Sequence, residues 1–281
     1  MSSNRHIQLR QEKGVTLIEL MIALMMSSVL IAAIYRTFIV QQKTYTVQDQ
    51  VTDMQQNVRA SISRMMSEIR MAGFGNCDNV LSLPGGVNGF TQVITITPDG
   101  KTMTIVGGFK QIKTDNGDPI LINSVGIDVT GKYTLTLNYS TDNFDGSQHR
   151  FISIGGLVSN TVSSRSGNVL TLDLPLTLIP NTGTPIFKIQ AVTYSLGLSG
   201  GKMVLQRDEN TGGGGFAVAE NIEDVQFEYP SQHISPASNA VVWMSVTART
   251  DMSDPEFKGG DGFRRRQIAS NIYVRNIAAY F

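Results

Sequence analysis

The chain has 281 residues, enough for one large or two small domains, and its 23 basic and 23 acidic side chains cancel. Only 16% of residues are charged, so no global field draws the chain to nucleic acid or to an anionic surface. A single cysteine, Cys77, excludes an intramolecular disulfide and a zinc site built on cysteines, and leaves three states open: buried, free, or paired with another chain.

In chain order, the first feature is a run from Val15 to Tyr35 whose only polar side chains are Thr16, Glu19, Ser27 and Ser28. As a helix this run is roughly 31 Å long at about 1.5 Å per residue, close to the hydrocarbon thickness of a bilayer. Arg5, His6, Arg10 and Lys13 precede it, and Arg36 and Lys43 follow, which weighs toward a cytoplasmic N-terminus with the remainder outside. A cleaved secretory signal fits less well, because the apolar run is too long and its charge sits near the start. A soluble core helix would leave the first half without a partner.

An acid inside a spanning helix costs on the order of 2.5–3.5 kcal/mol, so Glu19 needs compensation. A cut after Gly14 would supply it, because the new amino group of Val15 would be a cation four residues from Glu19, in the same chain or a neighbouring copy. The stretch Gly14-Val15-Thr16-Leu17-Ile18-Glu19, behind a short basic leader, resembles the processing site of type IV prepilins. That resemblance implies a membrane peptidase that cuts after Gly14 and methylates Val15, with Glu19 used in assembly. Val15 stands where the family usually has phenylalanine.

No proline occurs before Pro84 and no glycine between Gly14 and Gly73, so one helix is expected from Val15 to Ala72. Beyond Lys43, Val47, Val51, Met54, Val58, Ile62, Met65 and Ile69 fall three or four apart and make one apolar stripe, suited to a sheet more than to a coiled-coil seam. Gly73, in Ala72-Gly73-Phe74-Gly75, is placed to end the helix in a left-handed conformation, with Arg70 in the last turn. Asn76 to Gly89 reads as a loop.

Ten strands are then expected: Phe90–Thr97, Thr102–Val106, Tyr133–Tyr139, Phe151–Ile154, Asn168–Leu174, Ile186–Leu196, Lys202–Gln206, Asp224–Tyr229, Val241–Ala248 and Gln267–Ile277. Their order suggests an antiparallel meander, with Gly212–Gly215 a mobile loop tip. The fold class expected is α+β: a long N-terminal helix, half transmembrane and half amphipathic, packed on a C-terminal antiparallel sheet domain. The expected divisions are a leader over 1–14, a helix over 15–72 with its membrane part at 15–35, and a β-rich periplasmic domain over 73–281.

Little in the chain reads as a reactive centre. His6, His149 and His233 lie in no nucleophile signature. Asp142, Asn143, Asp145 and Gly146, and separately Asp115 and Asp118, offer oxygens for calcium but miss the EF-hand spacing and read as turns. Gly212–Gly215 lacks the lysine of a phosphate-binding loop. Arg264, Arg265 and Arg266 alternate faces on a strand and suit protection of a sheet edge better than a DNA patch.

The helix end Arg70-Met71-Ala72-Gly73-Phe74, the run from Val218 to Tyr229 and the arginine cluster Arg264–Arg266 are similar to PilW-like minor pilins; the J-type minor pseudopilins of type II secretion share the outline. The resemblance implies a minor type IV pilin that helps to initiate or cap a pilus, anchored once in the inner membrane and later incorporated in the pilus or at its tip. Its partners would be other minor and major pilins, the prepilin peptidase, the inner-membrane assembly platform and the membrane. Neither a cofactor nor nucleic acid is expected, and an enzyme is not. The alternatives are a minor pseudopilin of type II secretion and a membrane-anchored adhesive or ligand-binding β domain.

Overall fold

The computed structural model describes residues 14–140, 144, 149–229, 241–254 and 256–277, and the chain divides into two units, Met1–Gln50 and Val51–Phe281. A single helix, α1, runs from Leu17 to Met71. In the first unit its side chains from Leu17 to Phe38 are all exposed. In the second, Met54, Val58, Ile62, Met65 and Ile69 are buried, so the stripe expected from the sequence faces a core.

That core is shared by two antiparallel sheets. The larger contains β1 (Ile94–Ile96), β2 (Met103–Gln111), β3 (Ile122–Ile127), β4 (Tyr133–Leu137), β5 (Phe151–Ile154), β6 (Val158–Ser166), β7 (Val169–Leu172), β8 (Ile186–Ser199), β9 (Lys202–Asp208) and β10 (Phe216–Glu220). The smaller is β11 (Ile222–Glu228), β12 (Val241–Arg249) and β13 (Arg265–Tyr273), in that order. Met103, Ile105, Val192 and Tyr194 of the larger sheet and Val225, Phe227, Met244 and Val246 of the smaller one close around Met65 and Ile69 of α1. The class is therefore α+β, a long N-terminal helix on C-terminal antiparallel sheets.

The period-2 alternation of a strand gives β2 and β8 a second buried face. Val106, Ile189 and Ala191 pack with Cys77, Val80 and Leu81, which belong to or flank a short helix, α2 (Asp78–Leu81), inside the stretch read from sequence as a loop. A separate core, including Ile122, Leu135, Leu137, Ile152, Leu170 and Ile186, fills the region of β3 to β7.

The strand order is not a meander. It runs β1-β2-β8-β5-β6-β7-β4-β3, with β9 also on β8 and β10 on β9. The 14-residue β8 is the hub. One edge takes β2, while the other takes β5 at Ile186–Lys188 and β9 at Thr193–Ser199. A strand this long holds two successive partners on one edge, and alternating side chains alone do not specify that.

Helix α1 ends as expected at Gly73, whose φ of 76° is in the left-handed region. The orphan carbonyls are covered: Arg275 N–H donates to Arg70 O at 3.4 Å, and the Asn276 side-chain amide reaches Arg70 O and Ala72 O, each at 3.4 Å. Gly73 N–H donates to Val106 O at 2.8 Å and fixes the helix end to β2.

Candidate functional site

The N-terminal motif is an exposed helix start. Thr16 precedes the first helical residue, and its carbonyl accepts the N–H groups of Glu19 at 3.1 Å and Leu20 at 3.2 Å. Its hydroxyl also accepts Glu19 N–H, at 3.3 Å. Thr16 is thus the N-cap, and Glu19, three residues on, stands at the position of an acidic partner in a capping box. A carboxylate in the first turn also complements the positive end of the helix dipole. The spacing Thr-x-x-Glu carries this information in the sequence, and reading Glu19 only as an acid in lipid missed it.

Among the described residues nothing lies within 4 Å of the position a side chain at Gly14 would take, and Val15 is 70% exposed. Nothing among the described residues covers the bond joining them. Farther along, the hydroxyls of Ser28, Thr37 and Thr44 donate to Met25 O, Ala33 O and Val40 O at 2.7, 3.0 and 2.9 Å. Each is satisfied inside the helix, and for Ser28, which lies within 15–35, this lowers the cost of carrying it into lipid. By length and composition α1 is able to cross a membrane, and its most apolar window is wholly exposed.

The other residues singled out from sequence do not converge. His6 and His233, with Asp142, Asn143, Asp145 and Gly146, lie outside the described residues, and His149 is half-buried beside β5. Asp115 and Asp118 sit in a turn where Asp118 O accepts Thr114 N–H at 2.8 Å. Among the described residues no three His, Cys, Asp or Glu side chains are grouped to hold a metal ion. Gly212–Gly215 lies on the connection between β9 and β10.

Arg264 and Arg265 are held by acids: Arg264 Nη2 lies 2.8 Å from Asp254, and Arg265 meets Glu223 at 2.5 Å and Asp261 at 2.7 Å. These hydrogen bonds hold all three carboxyls below their usual range. Arg265 and Arg266 are on β13, an edge strand, as an edge-protecting role requires.

Cys77 is fully buried; desolvation, with a smaller effect from Asp78, pushes its thiol up to about 12. Of the three states open from sequence, the structure selects the buried one. At pH 8 the native chain is expected to leave Cys77 unlabelled by iodoacetamide over a period in which the urea-unfolded chain reacts fully. Equal labelling rates would show that this core opens readily.

Sequence reasoning also missed a polar cluster of the second unit, because its members lie far apart in the chain. Glu68 of α1 accepts Arg207 Nε at 3.0 and 3.1 Å and the Tyr194 hydroxyl at 2.7 Å. Arg207 also donates to Glu209 at 2.8 Å, and Gln190 donates to the same carboxylate at 2.9 Å. Burial opposes the charge of Glu209, yet the Arg207 and Gln190 bonds hold its carboxyl below the usual range. The cluster fastens α1 to β8 and β9.

Residues 9–35 match the family model described as the prokaryotic N-terminal methylation motif. The chain therefore carries the motif typical of type IV prepilins and pseudopilins, which implies processing by prepilin peptidase in a pilus-assembly setting, and its apolar helix is of the kind that anchors prepilins in the inner membrane. Proteins with this motif are structural subunits, not enzymes. No curated protein and no solved structure matches the chain.

Proposed function

We propose that this chain is a minor type IV pilin that is cut after Gly14, methylated at Val15, and used to initiate or cap a pilus. The observation that carries the reading is the methylation motif over residues 9–35, set on a helix start that is exposed on both sides of the Gly14–Val15 bond. The leader is 1–14; residues 15–35 hold the chain in the inner membrane, and the β-rich part from 73 onward lies in the periplasm until assembly. Glu19 then meets the amine of Val15 in its own or a neighbouring subunit. The apolar side chains up to Tyr35 pack against other pilins by close contact, as helices do in membranes. A chain this bulky suits a place used a few times per filament, at the tip, beside other minor pilins.

The test is the intact mass and N-terminal sequence of the chain extracted from membranes of its native host. A chain beginning with N-methylated Val15 is the expected result. One still beginning with Met1 would overturn the filament reading and leave an anchored β domain. A deletion strain separates the two filament types: loss of piliation with normal type II secretion is expected, and the reverse would make the chain a pseudopilin.

A further inference from the structure

A groove of about 360 Å³ lies where the last turns of α1 meet the chain just past β13, lined by Ser63, Met66, Ser67, Arg70, Met71 and Arg275. Among these described lining residues the ionisable ones are the two arginines. Elsewhere Arg207, Arg264 and Arg265 each hold a carboxylate, but among the described residues no acid pairs with Arg70 or Arg275. Two arginines lining one groove, with no acid among its described lining residues, make a site for an anion, and the planar fork of a guanidinium matches a carboxylate.

The negative end of the helix opposes an anion here, and Arg275 N–H and the Asn276 amide, at 3.4 Å from Arg70 O and Ala72 O, offset only part of it, so the two full guanidinium charges carry the attraction. Two features favour a peptide acid over a phosphate. Half-buried Met66 and Met71 give the groove an adaptable apolar floor, which suits an apolar side chain beside the acid. The adjacent β13 is an edge strand, paired through nine consecutive residues with β12 and on its other side with no strand among those described. An extended segment laid there gains main-chain hydrogen bonds.

We propose that this groove is a docking site for an extended segment of another filament subunit, with an Asp or Glu of that segment held between Arg70 and Arg275. The proposal rests on the filament reading given above. In the native host, Ser67 is replaced by the photo-cross-linker p-benzoylphenylalanine, cells are irradiated, and cross-linked peptides are sequenced by mass spectrometry. The expected product joins Ser67's position to a peptide containing Asp or Glu from a second chain. Reversing both charges, with Arg70→Glu and Arg275→Glu together, should reduce its yield about tenfold or more, since like charges then face each other. Replacing the partner's acid by lysine in that background should restore it.

Both arginines are exposed, so an unchanged unfolding midpoint separates lost docking from lost folding. Cross-links found only to lipid, only within the same chain, or to a peptide indifferent to charge reversal would overturn the proposal. The mass of the same chains reports separately on the filament reading: a start at Val15 with no acid-dependent cross-link sinks the groove alone, and a start at Met1 sinks both.

Discussion

Arg207→Ala will destabilise the folded chain by about 3–5 kcal/mol. Arg207 is only 4% exposed, lies between the carboxylates of Glu68 and Glu209, and stacks its guanidinium over Phe216 at 5.6 Å. Removing it leaves two half-buried carboxylates near each other without their shared cation, and Glu68 keeps the Tyr194 hydroxyl and a looser contact with Arg64 at 3.8 Å. Burial and the Glu68 charge hold that hydroxyl protonated at any ordinary pH, so it stays a donor but brings no positive charge. For a β domain of this size the loss corresponds to a fall in unfolding midpoint of roughly 10 °C. The double variant Glu68→Met with Arg207→Met should regain part of it, because it removes the desolvation cost of Glu68 along with the attraction, while the Tyr194 hydroxyl loses its acceptor and Glu209 loses Arg207 and keeps Gln190. Thermal unfolding of the full chain in detergent micelles, followed through the single tryptophan, Trp243 on β12, reads both values. A shift below about 1 kcal/mol for Arg207→Ala, the range of an exposed pair, would mean that the cluster is solvated.

The same cluster shows where sequence reasoning stops. The helix was legible because its evidence is local: no breaker before Gly73, and apolar residues three or four apart that prove to be the buried ones from Met54 to Ile69. Glu68 and Arg207 are 139 residues apart, and no spacing rule joins them. Strands that alternate or are rich in β-branched residues, such as β4 and β12, were found within a residue or two. The strand β6 was missed because Ser159, Asn160 and Thr161, polar by type, are buried in it, and β3 because only Ile122 is buried among its six residues. The pairing order was illegible for a different reason, since the hub strand β8 exchanges partners along its length. At the N-terminus the residues of the candidate site were all visible, but Thr16 was read as part of a processing motif when its spacing to Glu19 also writes a helix cap.

That second role makes Glu19 testable more sharply than by removal. If Glu19 serves only as the N3 partner of Thr16, glutamine replaces it well, because a capping box accepts either residue. If its charge meets the Val15 amine in lipid-like surroundings, glutamine fails as alanine does, and the amine is left unpaired at a cost of about 3 kcal/mol, a factor on the order of 100 in assembly. The amine also lies just ahead of the first helical residue, Leu17, at the positive end of the dipole, so a formal negative charge in that turn is needed to offset both. Glu19→Gln and Glu19→Ala are therefore both expected to yield chains that start at Val15 yet are depleted at least about tenfold from sheared filaments. Thr16→Ala, which removes the hydroxyl cap and no charge, should weaken the helix start by about 1 kcal/mol and leave incorporation within about twofold. Quantifying the chain in filament and membrane fractions of the four strains, wild type included, decides the matter: normal assembly of Glu19→Gln would reduce Glu19 to a cap, and the compensation for an acid in this apolar run would then lie in the helix itself, not in the new N-terminus.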